Sequence, residues 1–117
     1  DFELNHLLKD LIVTDPLGYF DFTRLIGNSL GVITDSGGIQ EETTHLGVPC
    51  CTLRDNTERP ITIDEGSNRL FSISLDNVQE IMNHLNRSDF KPGNIPLWDG
   101  EVSKRIFKVI ESEIVMK

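Results

Sequence analysis

The chain has 117 residues, enough for one domain around one core. Its 38% hydrophobic and 26% charged residues argue for a folded protein over a disordered one. A formal net charge of -8 with no basic stripe argues against nucleic acid and anionic membranes as partners, but leaves phosphate binding open, because backbone N–H groups can build such a site without excess Lys or Arg.

The opening Asp1-Phe2-Glu3-Leu4 has neither the basic start nor the apolar run of a signal peptide. It lacks Met and lies inside what reads as a helix, which leads us to expect a trimmed chain. No apolar run approaches the roughly eighteen residues of a transmembrane helix. Leu11-Ile12-Val13-Thr14 predicts a first strand, stopped by the turn sequence Asp15-Pro16-Leu17-Gly18. Residues 21–28 follow as a helix, with Phe22, Leu25 and Ile26 at helical spacing and Gly27-Asn28 as its stop. Gly31-Val32-Ile33-Thr34 is the next strand, and Asp35-Ser36-Gly37-Gly38 a tight loop. Residues 39–46 are helical, and Gly47 is placed to end that helix. Pro49-Cys50-Cys51-Thr52-Leu53 predicts a third strand and residues 69–73 a fourth. A helix over residues 75–86 carries Val78, Ile81, Met82 and Leu85 on one face, with Ser74 or Asp76 as its cap. After a Pro/Gly-rich connection over residues 91–100, a last helix over residues 101–116 shows a broad apolar stripe: Val102, Ile106, Val109, Ile110 and Ile114.

Strands alternating with helices predict an α/β domain of βαβ units with a short parallel sheet. Right-handed crossovers put the strand C-termini on one edge, where ligands of such sheets bind. Three polar, Gly-rich loops collect there: residues 15–20, 35–38 and 54–59.

The middle loop offers the clearest chemistry. Gly37 and Gly38 permit positive φ and close backbone approach, and the helix start supplies N–H groups and a positive dipole end. Ser36 can add a hydroxyl, so a phosphate group would be held there. The plainer reading is a helix entry with Asp35 or Ser36 as N-cap. The pattern is neither G-x-G-x-x-G nor a Walker loop. Glu42, about one turn on, could accept both hydroxyl hydrogens of a ribose; alternatively it, or Glu41, complements the helix dipole. Arg59 could neutralise a diphosphate, or pair at the surface with Glu58 or Asp55. Tyr19, Phe20 and Phe22 read as core rings, one of which could lie against a nucleobase.

Adjacent Cys50 and Cys51 point to opposite strand faces and read as buried or half-buried free thiols in a reducing compartment. His6, His45 and His84 have no metal-ligand spacing and read as structural or solvent-facing; no metal or cofactor is expected.

Four blocks in order then become specific: Asp15-Pro16-Leu17-Gly18-Tyr19-Phe20-Asp21-Phe22, Thr34-Asp35-Ser36-Gly37-Gly38-Ile39-Gln40-Glu41-Glu42, Leu46-Gly47-Val48-Pro49-Cys50 and Leu53-Arg54-Asp55-Asn56-Thr57-Glu58-Arg59-Pro60. Gly66-Ser67-Asn68-Arg69-Leu70 and Trp98-Asp99-Gly100 fit as well. Together they resemble the C-terminal domain of the non-hydrolysing UDP-N-acetylglucosamine 2-epimerases, from about Leu11 to the end. The resemblance implies a Rossmann-like three-layer domain, the C-terminal half of a GT-B-type two-domain fold, with UDP in the cleft between the halves. It implies that Ser36, Gly37 and Gly38 hold the diphosphate, Glu42 the ribose, Arg59 the phosphate region, and that Phe22 helps form the uracil pocket. Position 61 is Ile where the family often carries Glu. The implied reaction interconverts UDP-GlcNAc and UDP-ManNAc by elimination and re-addition of UDP, with acid and base carboxylates largely in an N-terminal domain. We therefore expect a single, partial C-terminal UDP-binding domain that lacks its catalytic partner and is inactive alone. Its expected partners are a UDP-sugar and either a complementing N-terminal domain or a second copy, in the cytoplasm of a polysaccharide-making cell. The alternatives are a glycosyltransferase donor domain and a non-catalytic nucleotide-binding module.

Overall fold

The computed structural model describes residues 3–91 and 95–116. Residues 92–94 of the expected Pro/Gly-rich connection, like Asp1, Phe2 and Lys117, lie outside them. Three triplets form a parallel sheet in chain order: β1 (Val32–Thr34), β2 (Cys50–Thr52) and β3 (Asn68–Leu70). The register aligns Val32 with Cys50 and Cys50 with Asn68, so Thr34, Thr52 and Leu70 end together at the carboxyl edge. The helices are α1 (Tyr19–Gly27), α2 (Gly37–Leu46), α3 (Ile61–Asp64), α4 (Val78–Leu85) and α5 (Val102–Val115).

Alternation along β2 divides the core between two faces. Cys50 faces α2, within hydrogen-bonding reach of Thr43. Cys51 faces α4, where its Sγ donates to the Ile81 carbonyl at 4.0 Å. Both thiols are free and fully buried, as the sequence leads one to expect. Burial lifts both out of the ordinary thiol range, with Cys51 pushed up to about 12. On the α4 face, His84 is buried, and its Nε2–H donates to the Ser67 carbonyl at 3.0 Å between the rings of Phe71 and Phe90. Burial lowers its pKa and keeps it neutral. α2 ends at Gly47 in the left-handed conformation (φ 71°), which L side chains rarely adopt. The helix expected over residues 75–86 opens as a 3-10 turn, Leu75–Asn77, capped by Ser74, whose Oγ accepts from the Asp76 amide, and becomes α-helical only from Val78.

Several expectations fail for physical reasons. Leu11 to Thr14 is not a strand: a strand needs a neighbour, none of the described strands lies beside it, and Ile12 is 96% exposed. Tyr19 and Phe20 are not loop residues but the first turn of α1, entered from Gly18 without a side-chain cap, and Tyr19, Phe20 and Phe22 are exposed rather than core rings, because only Ile26 of this helix turns inward. Gly37 and Gly38 are helical and do not use positive φ. The fourth predicted strand begins one residue early and stops at Leu70, although the Phe71 amide still donates to the Thr52 carbonyl. Among the described residues nothing covers the stripe of α5: Val102, Ile106, Val109, Ile110 and Ile114 are all exposed. No helix among the described residues is long and apolar enough to cross a membrane.

Candidate functional site

β1 delivers Thr34 to the carboxyl edge, and its Oγ1 accepts from the Ser36 amide at 3.0 Å. This turns the chain sharply into α2 with Ser36 extended at the N-cap (φ -85°, ψ 130°). Neither Asp35 nor Ser36 caps the helix: no side chain accepts from its first-turn amides. The capping alternative is therefore not realised, and a helix start without a side-chain acceptor carries partial positive charge on its free amides.

The glycines of that turn are not explained by the fold. Their φ values are ordinary, and a Cβ built on Gly37 or Gly38 meets nothing within 4 Å. Gly66 is the opposite case, where a Cβ would run into the Thr62 carbonyl and Thr44 Oγ1. Gly66 is small because the interior demands it. Gly37 and Gly38 are small where the space is open, which suits close approach of a bulky anion to the backbone.

The loop after β2 brings Arg59 to the same helix. Its Nε donates to Glu41 Oε1 at 2.8 Å, and Nη1 lies 3.6 Å from Glu58 Oε2. Pairing with Glu58 is thus partly realised, while the stronger partner is Glu41, on the helix that carries the glycines. Glu42 lies on the adjacent side of α2, half-buried. It lines a cleft of about 400 Å³ with Tyr19 and Thr23 of α1, His45 and Trp98. Ser36, Gly37, Gly38, Glu41, Glu42 and Arg59 are therefore gathered around one helix. Phe22 is not a wall of this cleft; Tyr19 is the α1 ring that faces it, although only the resemblance distinguishes the two in the sequence. Among the described residues, no group of His, Cys, Asp and Glu could hold a metal ion.

Sequence reasoning missed the support beneath the site. Gln40, Thr52, Thr62 and Asn68 are buried and joined by hydrogen bonds, with Thr57 attached from the Arg59 loop. The available signal was the polarity of Gln40 at a position where α2 must face β2.

Residues 2–111 match the family described as UDP-N-acetylglucosamine 2-epimerase. The chain is 41% identical over 111 residues to the UDP-N-acetylglucosamine 2-epimerase of Methanococcus maripaludis, covering 95% of this chain and 29% of that protein. It is 38% identical to the enzyme of that name from Methanocaldococcus jannaschii, covering 87% of this chain and 28% of the relative. The solved UDP-GlcNAc 2-epimerase of Methanocaldococcus jannaschii in complex with UDP-GlcNAc and UDP superposes with a TM-score of 0.78 at 36% identity, over 95% of this chain and 31% of that one. The chain thus spans a little under a third of the length of these relatives.

Proposed function

The chain belongs to the UDP-N-acetylglucosamine 2-epimerase family, and from that premise we propose that it forms the UDP-binding portion of such an enzyme, a single C-terminal domain of a GT-B-type pair. One observation supports this most: two glycines that neither backbone geometry nor packing requires, in the first turn of an uncapped helix at the carboxyl edge of the sheet. In this reading the Gly37 and Gly38 amides and the Ser36 hydroxyl hold the diphosphate. Arg59 adds charge from the side, Glu42 accepts the ribose hydroxyl hydrogens, and Phe22 contributes to the uracil pocket.

The chemistry asked of these residues is leaving-group stabilisation. Elimination across C1–C2 expels UDP with its negative charge, and preorganised amides stabilise that charge without reorganising. The same contacts keep UDP in place for re-addition on the other face, so the second step stays effectively unimolecular. Moving the C2 proton needs an acid and a base. We assign those to an N-terminal domain outside this chain, so the 117 residues alone bind UDP and do not turn over. The buried free thiols favour a reducing compartment such as the cytoplasm.

Isothermal titration with UDP tests the binding assignment. Glu42→Ala and Arg59→Ala should each weaken it about tenfold, the loss expected for one charge-assisted hydrogen bond. No heat of binding at millimolar UDP removes the reading. In a longer protein with an N-terminal domain, incubation with UDP-GlcNAc should give the C2 epimer; a new glycosidic bond instead would mark a glycosyltransferase donor domain.

A further inference from the structure

Arg59 is tied to the fold through its main chain as well as its side chain. Its amide donates to Thr57 Oγ1 at 3.0 Å, and its carbonyl accepts from Thr62 Oγ1 at 2.7 Å. Both hydroxyls lead to the same buried hub. Thr57 Oγ1 donates to Gln40 Oε1 at 2.6 Å, and Asn68 Nδ2 donates to Gln40 Oε1 and to Thr62 Oγ1, each at 3.1 Å. Thr52 Oγ1 donates to Asn68 Oδ1 at 2.6 Å and anchors the hub on β2. Each hydroxyl has a single hydrogen, so the bond directions are determined. Thr57 gives its hydrogen to Gln40 and meets the Arg59 amide with a lone pair. Thr62 gives its hydrogen to the Arg59 carbonyl and accepts from Asn68. Gln40 turns its oxygen to the hub, where Thr57 and Asn68 both donate to it, and leaves its buried Nε2 without a partner among the described residues.

We propose that Thr57, acting through Gln40, is a positioning residue that sets the Arg59 guanidinium at the first turn of α2 to meet a nucleoside diphosphate. This rests on the UDP-binding reading above. Gln40 lies two residues beyond Gly38 on the same helix, so the Arg59 loop is referenced directly to the amides that face the phosphates. Glu41 takes Arg59 Nε from that helix too, which orients the side chain after the hub has placed its backbone. The loop between β2 and α3 is otherwise a polar surface segment, and misplacement of a charged group by a fraction of an ångström is costly in binding.

Thr57→Val keeps the shape and removes the hydroxyl; Thr57→Ser keeps the hydroxyl. The 117-residue chain is titrated with UDP, and the order of the Arg59 Nε–H group is measured by ¹⁵N relaxation without nucleotide. Thr57→Val should raise the Kd for UDP about tenfold and lower the order of Arg59 Nε, while Thr57→Ser stays within about twofold. In an Arg59→Ala background, Thr57→Val should add nothing. An equal loss in that background, or an Arg59 Nε that stays ordered in Thr57→Val, overturns the positioning role. If Thr57→Val does not fold, Thr57→Ala is read in the same way. A wild-type chain that fails to bind UDP sinks the functional reading and this proposal with it; wild-type binding with an unaffected Thr57→Val sinks only the proposal.

Discussion

Replacing Gly38 by Ala adds one methyl group to the first turn of α2, and stability and binding should move in opposite directions. The backbone at Gly38 has no positive φ, and its Cβ position has no neighbour within 4 Å, so the methyl group strains nothing in the free protein. Ala is favoured over Gly in a helix by about 0.5–1 kcal/mol. That stabilisation should raise Tm by roughly 2–5 °C. A phosphate seated on the first-turn amides meets that methyl group and must retreat. Losing one charge-assisted hydrogen bond costs about 1.5–3 kcal/mol, or roughly 10- to 150-fold in Kd. Differential scanning calorimetry and UDP titration on the same preparations read the two effects separately. At Gly66 a Cβ runs into Thr62 and Thr44, so Gly66→Ala should lower Tm by comparison. If Gly38→Ala gains stability and binds UDP as tightly as wild type, the phosphate does not sit on this turn. If it loses stability, the account of the glycines is wrong before binding is considered.

The thiols supply an independent check on the core. Cys51 at about 12 against an ordinary value near 8.5 predicts a native thiolate fraction at pH 8 roughly a thousandfold below that of the unfolded chain; an aromatic disulfide reagent should label both cysteines only as denaturant unfolds the protein, and fast native labelling would contradict the burial. His84 gives a pH signature. Its folded pKa lies below the unfolded value near 6.5, so its contribution to stability is complete above 6.5 and declines as pH falls from there through the folded pKa, by at most about 1.4 kcal/mol per pH unit. Urea melts between pH 8 and pH 5 should show less of this loss in His84→Gln than in wild type, and identical slopes would remove His84 from the account. The uncovered stripe of α5 predicts self-association of the isolated chain, so its sedimentation coefficient should rise with concentration and Ile106→Lys/Ile110→Lys should suppress the rise; a monomer throughout refutes it.

What the sequence makes legible is the part governed by local chemistry. Gly47 ends α2 because only a residue tolerant of φ 71° belongs there, and a glycine at that spacing is readable from the chain alone. β1 and β2 follow from short β-branched and apolar runs bounded by turn residues. The failures share a cause: they depend on neighbours. Leu11 to Thr14 has strand composition, yet a strand is defined by its pairing, and none of the described strands lies beside it. Ser36 is a good N-cap residue by type, but the Thr34 hydroxyl takes the Ser36 amide and the Ser36 side chain caps nothing. The hub was invisible because Thr, Gln and Asn are surface residues by habit, and only the meeting of α2, α3, β2 and β3 makes them interior. Around the site, the residues of the turn between β1 and α2 were readable as types in a pattern; that Arg59 is fastened to Glu41 was not, because it depends on the path of a loop.

The two faces of this small sheet are built for different ends. Against α4 the contacts are thiol, aromatic and a neutral imidazole, groups that gain from losing water and ask little of geometry. Against α2 and α3 the buried groups are Gln40, Thr52, Thr62 and Asn68, which must find partners with correct direction or cost about 1–3 kcal/mol each. An apolar core of equal volume could stabilise the fold about as well, since replacing both partners of a buried hydrogen bond by apolar groups of the same shape can be nearly neutral. What an apolar core cannot do is determine bond directions, and those directions reach the backbone of Arg59 on both sides. The polar half of the core lies beneath the loop that carries charge to the helix terminus, and the apolar half lies on the face away from it. Stability and alignment are thus supplied by opposite surfaces of β2, a division that lets three strands of three residues hold a site in register.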